Sequence, residues 1–185
     1  MIESPKYEVL MKENKYEIRQ YQDYVIAEVE VEGDYKQALT NGFRILADYI
    51  FGNNVKRTHI PMTVPVTETD LEQSEKIEMT VPVSSSSTEE GRYKISFMMP
   101  SKYSVDTLPL PNNKEIAFKK MNGYKAAVIR FSGYSNTKLA AKKKDELRIW
   151  LINNKLAPKS AFVTAQYNPP WIPGPFRHNE VIVEV

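Results

Sequence analysis

The stretch Tyr24-Val25-Ile26-Ala27-Glu28-Val29-Glu30-Val31-Glu32-Gly33 decides the fold, because it returns 100 residues later as Tyr124-Lys125-Ala126-Ala127-Val128-Ile129-Arg130-Phe131-Ser132-Gly133. In the first copy Val25, Ala27, Val29 and Val31 alternate with Glu28, Glu30 and Glu32. A period of two places the apolar set on one face of an antiparallel strand and the acids on the other. The second copy keeps the opening tyrosine, Ala127 and the closing glycine, and sets Ile129 and Phe131 where the first has Val29 and Val31. So few identities alone would be weak. The repeated order of strand, glycine turn and helix is what argues for an internal duplication.

Outward from each glycine the reading is helical. Asp34 can cap a helix, with Gln37 at the capping-box position. Leu39, Phe43, Leu46 and Ile50 form a stripe at helical spacing, widened by Ala38, Gly42, Ile45 and Tyr49. Gly52-Asn53-Asn54 ends this helix of about residues 35–51. In the second half Asn136 caps a helix running to about residue 154, with Leu139, Leu147, Trp150 and Leu151 on its apolar side. Lys142-Lys143-Lys144 reads as a solvated face.

Strands flank both helices. Residues 16–21 and 115–119 precede the duplicated strands. After the second helix come about 162–167 and 180–185. After the first come residues 92–98 and two copies of Met-Thr-Val-Pro-Val, at 62–66 and 79–83. Their prolines donate no ladder hydrogen bond, which confines these strands to an edge or a bulge. Ser84-Ser85-Ser86-Ser87 with Thr88-Glu89-Glu90-Gly91 reads as a flexible loop. The plan is ββαββ twice: an α+β fold in which residues 1–185 form one domain with pseudo-twofold halves of about 1–100 and 113–185. Two such units build a curved sheet or barrel with both helices outside.

Composition narrows the function classes. A net charge of +2 supports neither nucleic-acid nor membrane-surface binding. The absence of cysteine excludes disulfides and thiolate chemistry. The N-terminal segment lacks an apolar signal core, and no apolar run approaches the roughly 20 residues that cross a bilayer. A soluble, cytoplasmic monomer is expected. His59 and His178 stand in no metal-ligand spacing, so a structural metal site is not expected and any metal ligand stays unknown. The chain has no nucleophile elbow, Walker loop or dinucleotide fingerprint, and its acids read as solvated strand and helix exteriors. No catalytic residues are expected. One segment suggests ligand binding: Tyr167-Asn168-Pro169-Pro170-Trp171-Ile172-Pro173-Gly174-Pro175-Phe176-Arg177 holds aromatic side chains on a proline-stiffened loop, which suits flat apolar molecules at low entropic cost.

Five motifs in this order resemble the SOUL haem-binding family over almost the whole chain. They are Tyr16-Glu17-Ile18-Arg19-x-Tyr21, then Gly42-Phe43-x-x-Leu46-x-x-Tyr49-Ile50-x-Gly52-x-Asn54, then both Met-Thr-Val-Pro-Val copies, then Tyr167-Asn168-Pro169-Pro170, and finally Arg177-x-Asn179-Glu180-Val181. The resemblance implies a distorted eight-stranded antiparallel β-barrel flanked by two helices, similar to effector-binding domains of bacterial transcription regulators. It implies haem or another tetrapyrrole as ligand, held without catalysis by a carrier or buffer. The implied groove lies between the first helix (Phe43, Leu46, Ala47, Ile50) and the loop before the last strand (Tyr167, Trp171, Ile172), with Arg177 to pair a propionate. Where some members carry a histidine proposed as iron ligand, this chain has Gln20, and Asp48 stands near the groove where some members have basic residues. The other reading of the same residues is a module for a different hydrophobic or cationic small molecule, or for a protein partner, without haem.

Overall fold

The computed structural model describes residues 3–55, 83–89, 91–168 and 171–185. Apart from Val83, both Met-Thr-Val-Pro-Val copies lie outside the described residues, and so does His59. The elements in chain order are β1 (Tyr7–Glu13), β2 (Tyr16–Tyr21), β3 (Tyr24–Glu32), α1 (Tyr35–Ile50), β4 (Asn54–Val55), β5 (Val83–Glu89), β6 (Arg92–Met98), β7 (Leu110–Pro111), β8 (Ala117–Met121), β9 (Lys125–Phe131), α2 (Thr137–Asn153), β10 (Val163–Gln166), a 3₁₀ turn (Gly174–Phe176) and β11 (Asn179–Glu184). Both expected caps form: Asp34 accepts from the Gln37 amide and Asn136 from the Leu139 amide. The duplicated turn glycines, Gly33 and Gly133, have φ of +130° and +112°, a region that side chains rarely adopt.

Nine strands form one curled antiparallel sheet in the order β1-β2-β9-β11-β10-β5-β6-β3-β8, and β4 pairs with β7 apart from it. Without β1 the order is a palindrome. Exchanging β2 with β8, β9 with β3, β11 with β6 and β10 with β5 reproduces it, which is the duplication written in strand pairing. The axis of that exchange passes between Ser85 and Thr164, which face each other across the β5–β10 seam. It also passes between Tyr24 and Tyr124, whose hydroxyls are 2.9 Å apart. Among the described residues the ladder stays open, with β1 and β8 at its ends.

Each helix covers its own half of the convex face. Under α1 the core comprises Val25, Ala27, Val29, Leu46, Tyr49, Ile50, Ile95 and Phe97. Under α2 it comprises Ile18, Ala127, Ile129, Leu147, Trp150, Leu151, Val181 and Val183. Gly42 lets α1 press onto β6, since a Cβ there would lie 2.5 Å from Ile95 Cγ1.

Three readings need correction. The serine run is not a flexible loop: β5 is an interior strand, paired to β6 on one side and β10 on the other. Two flanking ladders override the weak strand preference of serine, and small side chains suit the seam where the halves meet. β1, with no counterpart in the duplication, was not expected at all. It adds a ninth strand along β2. Finally, two acids assigned to solvent, Glu17 and Glu180, are buried.

Candidate functional site

Those acids belong to a network on the concave side of the second half. Arg19, wholly inaccessible, donates from Nη1 and Nη2 to Glu180 at 2.9 and 2.8 Å. It also donates from Nε to Glu17 at 2.8 Å and from Nη1 to the Tyr21 hydroxyl at 3.0 Å. Tyr167 donates to Glu180 at 2.6 Å, and His178 Nε2 lies 2.8 Å from the other Glu180 oxygen, its ring stacked on Tyr167. Alternation puts Glu17, Arg19 and Tyr21 on one face of β2, and the β2–β9–β11 register brings that face to Glu180. Burial alone would raise the Glu180 pKa, but hydrogen bonds from His178 and Arg19 prevail and hold it at about 2. Burial likewise opposes the Arg19 cation, and its bond to Glu180 more than restores it. The Tyr167 hydroxyl is pushed up by burial and by the Glu180 carboxylate, so it stays a neutral donor.

The residues assigned to the haem groove fall into three places. On α1, Leu46 and Ile50 turn into the first core and Ala47 is buried, while Phe43 stands partly exposed with its ring edge-on to Phe97, 5.3 Å between centroids. Asp48 is exposed and accepts a hydrogen bond from Asn53. In the loop, Trp171 and Phe176 are each 78% exposed. Arg177 donates to the Ile172 carbonyl at 2.8 Å and lies over the Tyr134 ring at 4.5 Å. The loop is anchored at the start of α2, where the Gly133 amide donates to the Gly174 carbonyl. Tyr167 is in neither place. Gln166 shares the α1 side with Val83 and Phe97, so the next residue, Tyr167, faces the concave side. Gln20 is exposed and donates to the Tyr21 carbonyl.

The concave side holds a cavity of about 300 Å³, walled by both halves. Tyr21, Tyr24, Tyr124 and Tyr167 line one end, Ser84, Ser86 and Ser96 another, with Ile26, Met98 and Ile182 between. Tyr21 and Tyr124 stack at 5.1 Å. Burial raises the Tyr21, Tyr24 and Tyr124 hydroxyls above ordinary tyrosine, so all are neutral. The sequence hinted at both features through polar residues set inside apolar alternation, as in Tyr16-Glu17-Ile18-Arg19. It gave no sign that strands from opposite ends of the chain would bring Arg19 to Glu180.

Fold and site together define a duplicated α+β half-barrel with a cavity on its concave side, and solved structures share that fold. The EcmrR C-terminal domain superposes with a TM-score of 0.64 at 9% identity, covering 96% of each chain. A hydrolase from Listeria innocua gives 0.56 at 12% identity, covering 94% of this chain and 93% of its own. At such identities the likeness is one of fold alone. Sequence carries the kinship further. The model of the SOUL heme-binding protein family matches residues 2–70 and 67–184. Heme-binding protein 2 from Homo sapiens is 30% identical over 160 residues, spanning 84% of this chain and 71% of the human protein. The chain belongs to the SOUL heme-binding protein family.

Proposed function

We propose that this protein binds haem or a related tetrapyrrole as a non-catalytic carrier or buffer. Family membership over both halves is the observation that carries this reading. The residues present suit the group in part. Phe43 on α1 and Trp171 and Ile172 in the loop offer apolar surface for the macrocycle, with Leu46, Ala47 and Ile50 packed behind Phe43. Arg177 brings a guanidinium to the same loop as the cation for a propionate. Tyr167 contributes indirectly, by holding His178 and Glu180 at the root of the loop. Bound haem would bring its iron, and apolar contact with one cation is what this chain offers to hold the group.

Titration of the purified protein with hemin tests the reading. A saturable Soret shift is expected, with affinity falling at least tenfold when Phe43 and Trp171 are both changed to alanine. No saturable shift would overturn the tetrapyrrole reading, and unchanged affinity in the double variant would overturn the site.

A further inference from the structure

The concave cavity lies across the sheet from α1, and the haem reading leaves it unused. Its lining has a definite chemical character. Four neutral tyrosines stand at its aromatic end. Tyr21 is covered by Tyr7 and Tyr124, and Tyr167 by His178, which leaves Tyr24 and the other side of Tyr124 to present the negative quadrupole of a π-face. Tyr24 and Tyr124 share one hydrogen bond between two hydroxyls, which leaves one O–H and several lone pairs for a guest.

The charges are unevenly committed. Lys94 is held by Glu30 at 3.2 Å. Glu28 and Glu184 line the cavity without an ion pair among the described residues, and the Glu184 carboxylate is close enough to Tyr124 to help raise its pKa. Lys119 also makes no ion pair among the described residues, but it is exposed, on the edge strand β8, and can turn to water. Behind the tyrosines, Arg19 is locked to Glu17 and Glu180, with Arg130 and Lys12 on the outer side of the same acids. Among the described residues, the groups toward the cavity interior that make no ion pair are therefore Glu28 and Glu184, beside the rings of Tyr24 and Tyr124. Aromatic faces next to carboxylates attract a cation with an apolar body, and desolvation strengthens that attraction. A volume of about 300 Å³ admits a molecule of modest size, at the small end of the usual range of about 300–1,000 Å³.

We infer that the concave cavity is a second binding site, separate from the haem groove, for a small organic cation with an aromatic or aliphatic body. The head group rests against Tyr24 and Tyr124 between Glu28 and Glu184, and the body lies along Ile26, Met98 and Ile182. This inference stands independently of haem binding, because the two sites use opposite faces of the sheet.

Calorimetric titration with benzyltrimethylammonium tests it, with neopentylbenzene as neutral isostere and benzenesulfonate as the anion of similar size. The cation is expected to bind saturably, the isostere at least tenfold more weakly and the anion not measurably. Glu28→Gln with Glu184→Gln keeps the shape of the wall and should weaken the cation about tenfold or more. Tyr124→Leu should do likewise, and because that change could unfold the protein, the two glutamine variants stand as the primary test. Phe43→Ala and Trp171→Ala should leave cation binding unchanged. Absence of binding, equal or tighter binding of the anion, or indifference to the glutamine substitutions would each overturn the inference.

Discussion

The pseudo-twofold sets Glu30 and Lys94 in the first half against Arg130 and Glu180 in the second. Both are facing pairs, on β3–β6 and on β9–β11, with the charges exchanged. In the first half the pair stays at the surface, with the Glu30 and Lys94 side chains 59% and 37% exposed. In the second half Glu180 is wholly buried, and its main partner is no longer Arg130 but Arg19. The cause is what each half acquired beyond the duplication. Strand β1 runs along β2 and lays Tyr7 over Arg19, while the 167–178 segment brings Tyr167 and His178 onto Glu180. On the first side the matching edge strand, β8, has no such cover among the described residues. One ancestral arrangement has become a solvated ion pair in one half and an interior network in the other.

That difference predicts unequal costs. Glu180→Ala leaves Arg19 buried without its bidentate partner and should destabilise by about 3–5 kcal/mol. Lys94→Ala removes a surface pair and should cost at most about 1 kcal/mol. Urea denaturation of both variants measures the contrast, and similar losses would break it. The same network should set the acid limit of stability. Because the folded Glu180 pKa of about 2 lies below its ordinary value near 4.5, its contribution is complete above pH 4.5 and disappears as pH falls from there through about 2. Glu180→Gln should flatten that acid limb in melting curves recorded across this range, and an unaltered limb would show that other groups govern it. Gly42→Ala should cost about 1–3 kcal/mol, since the new methyl meets the Ile95 side chain, which must shift. This sharpens the contrast between a tightly pressed α1 interface and the loop. Smallest of all, Trp171→Ala should change stability by no more than about 0.5 kcal/mol, the side chain being largely in solvent. A larger loss in thermal melting would mean that Trp171 supports the fold.

The repeat at residues 24 and 124 made the duplication legible, and with it both helices, their caps and most strands. What stayed hidden is instructive. β1 has no counterpart in the repeat, so the duplication did not point to it, although Tyr7, Val9 and Met11 alternate with Glu8 and Lys12 as a strand would. The serine run looked like a loop because strand preference is read from side chains, whereas β5 is held by ladders on both edges. Phe43 and Trp171, assigned to the groove, do stand at the surface, whereas Leu46 and Ile50, assigned with them, are the core-facing side of the helical stripe. Glu180 reads as a solvated acid in any local window. Its burial follows from β11 lying between β9 and β10, a long-range fact.

The location of the ligand is the direct test. Amide chemical-shift mapping of the labelled protein with gallium protoporphyrin IX, a diamagnetic stand-in for haem, distinguishes the two faces of the sheet in one experiment. The account predicts that the perturbed amides cluster at residues 43–50 of α1 and 171–177 of the loop. Perturbations confined to the concave strands, around Tyr24, Ser84 and Tyr124, or a spectrum unchanged at saturating porphyrin, would contradict it.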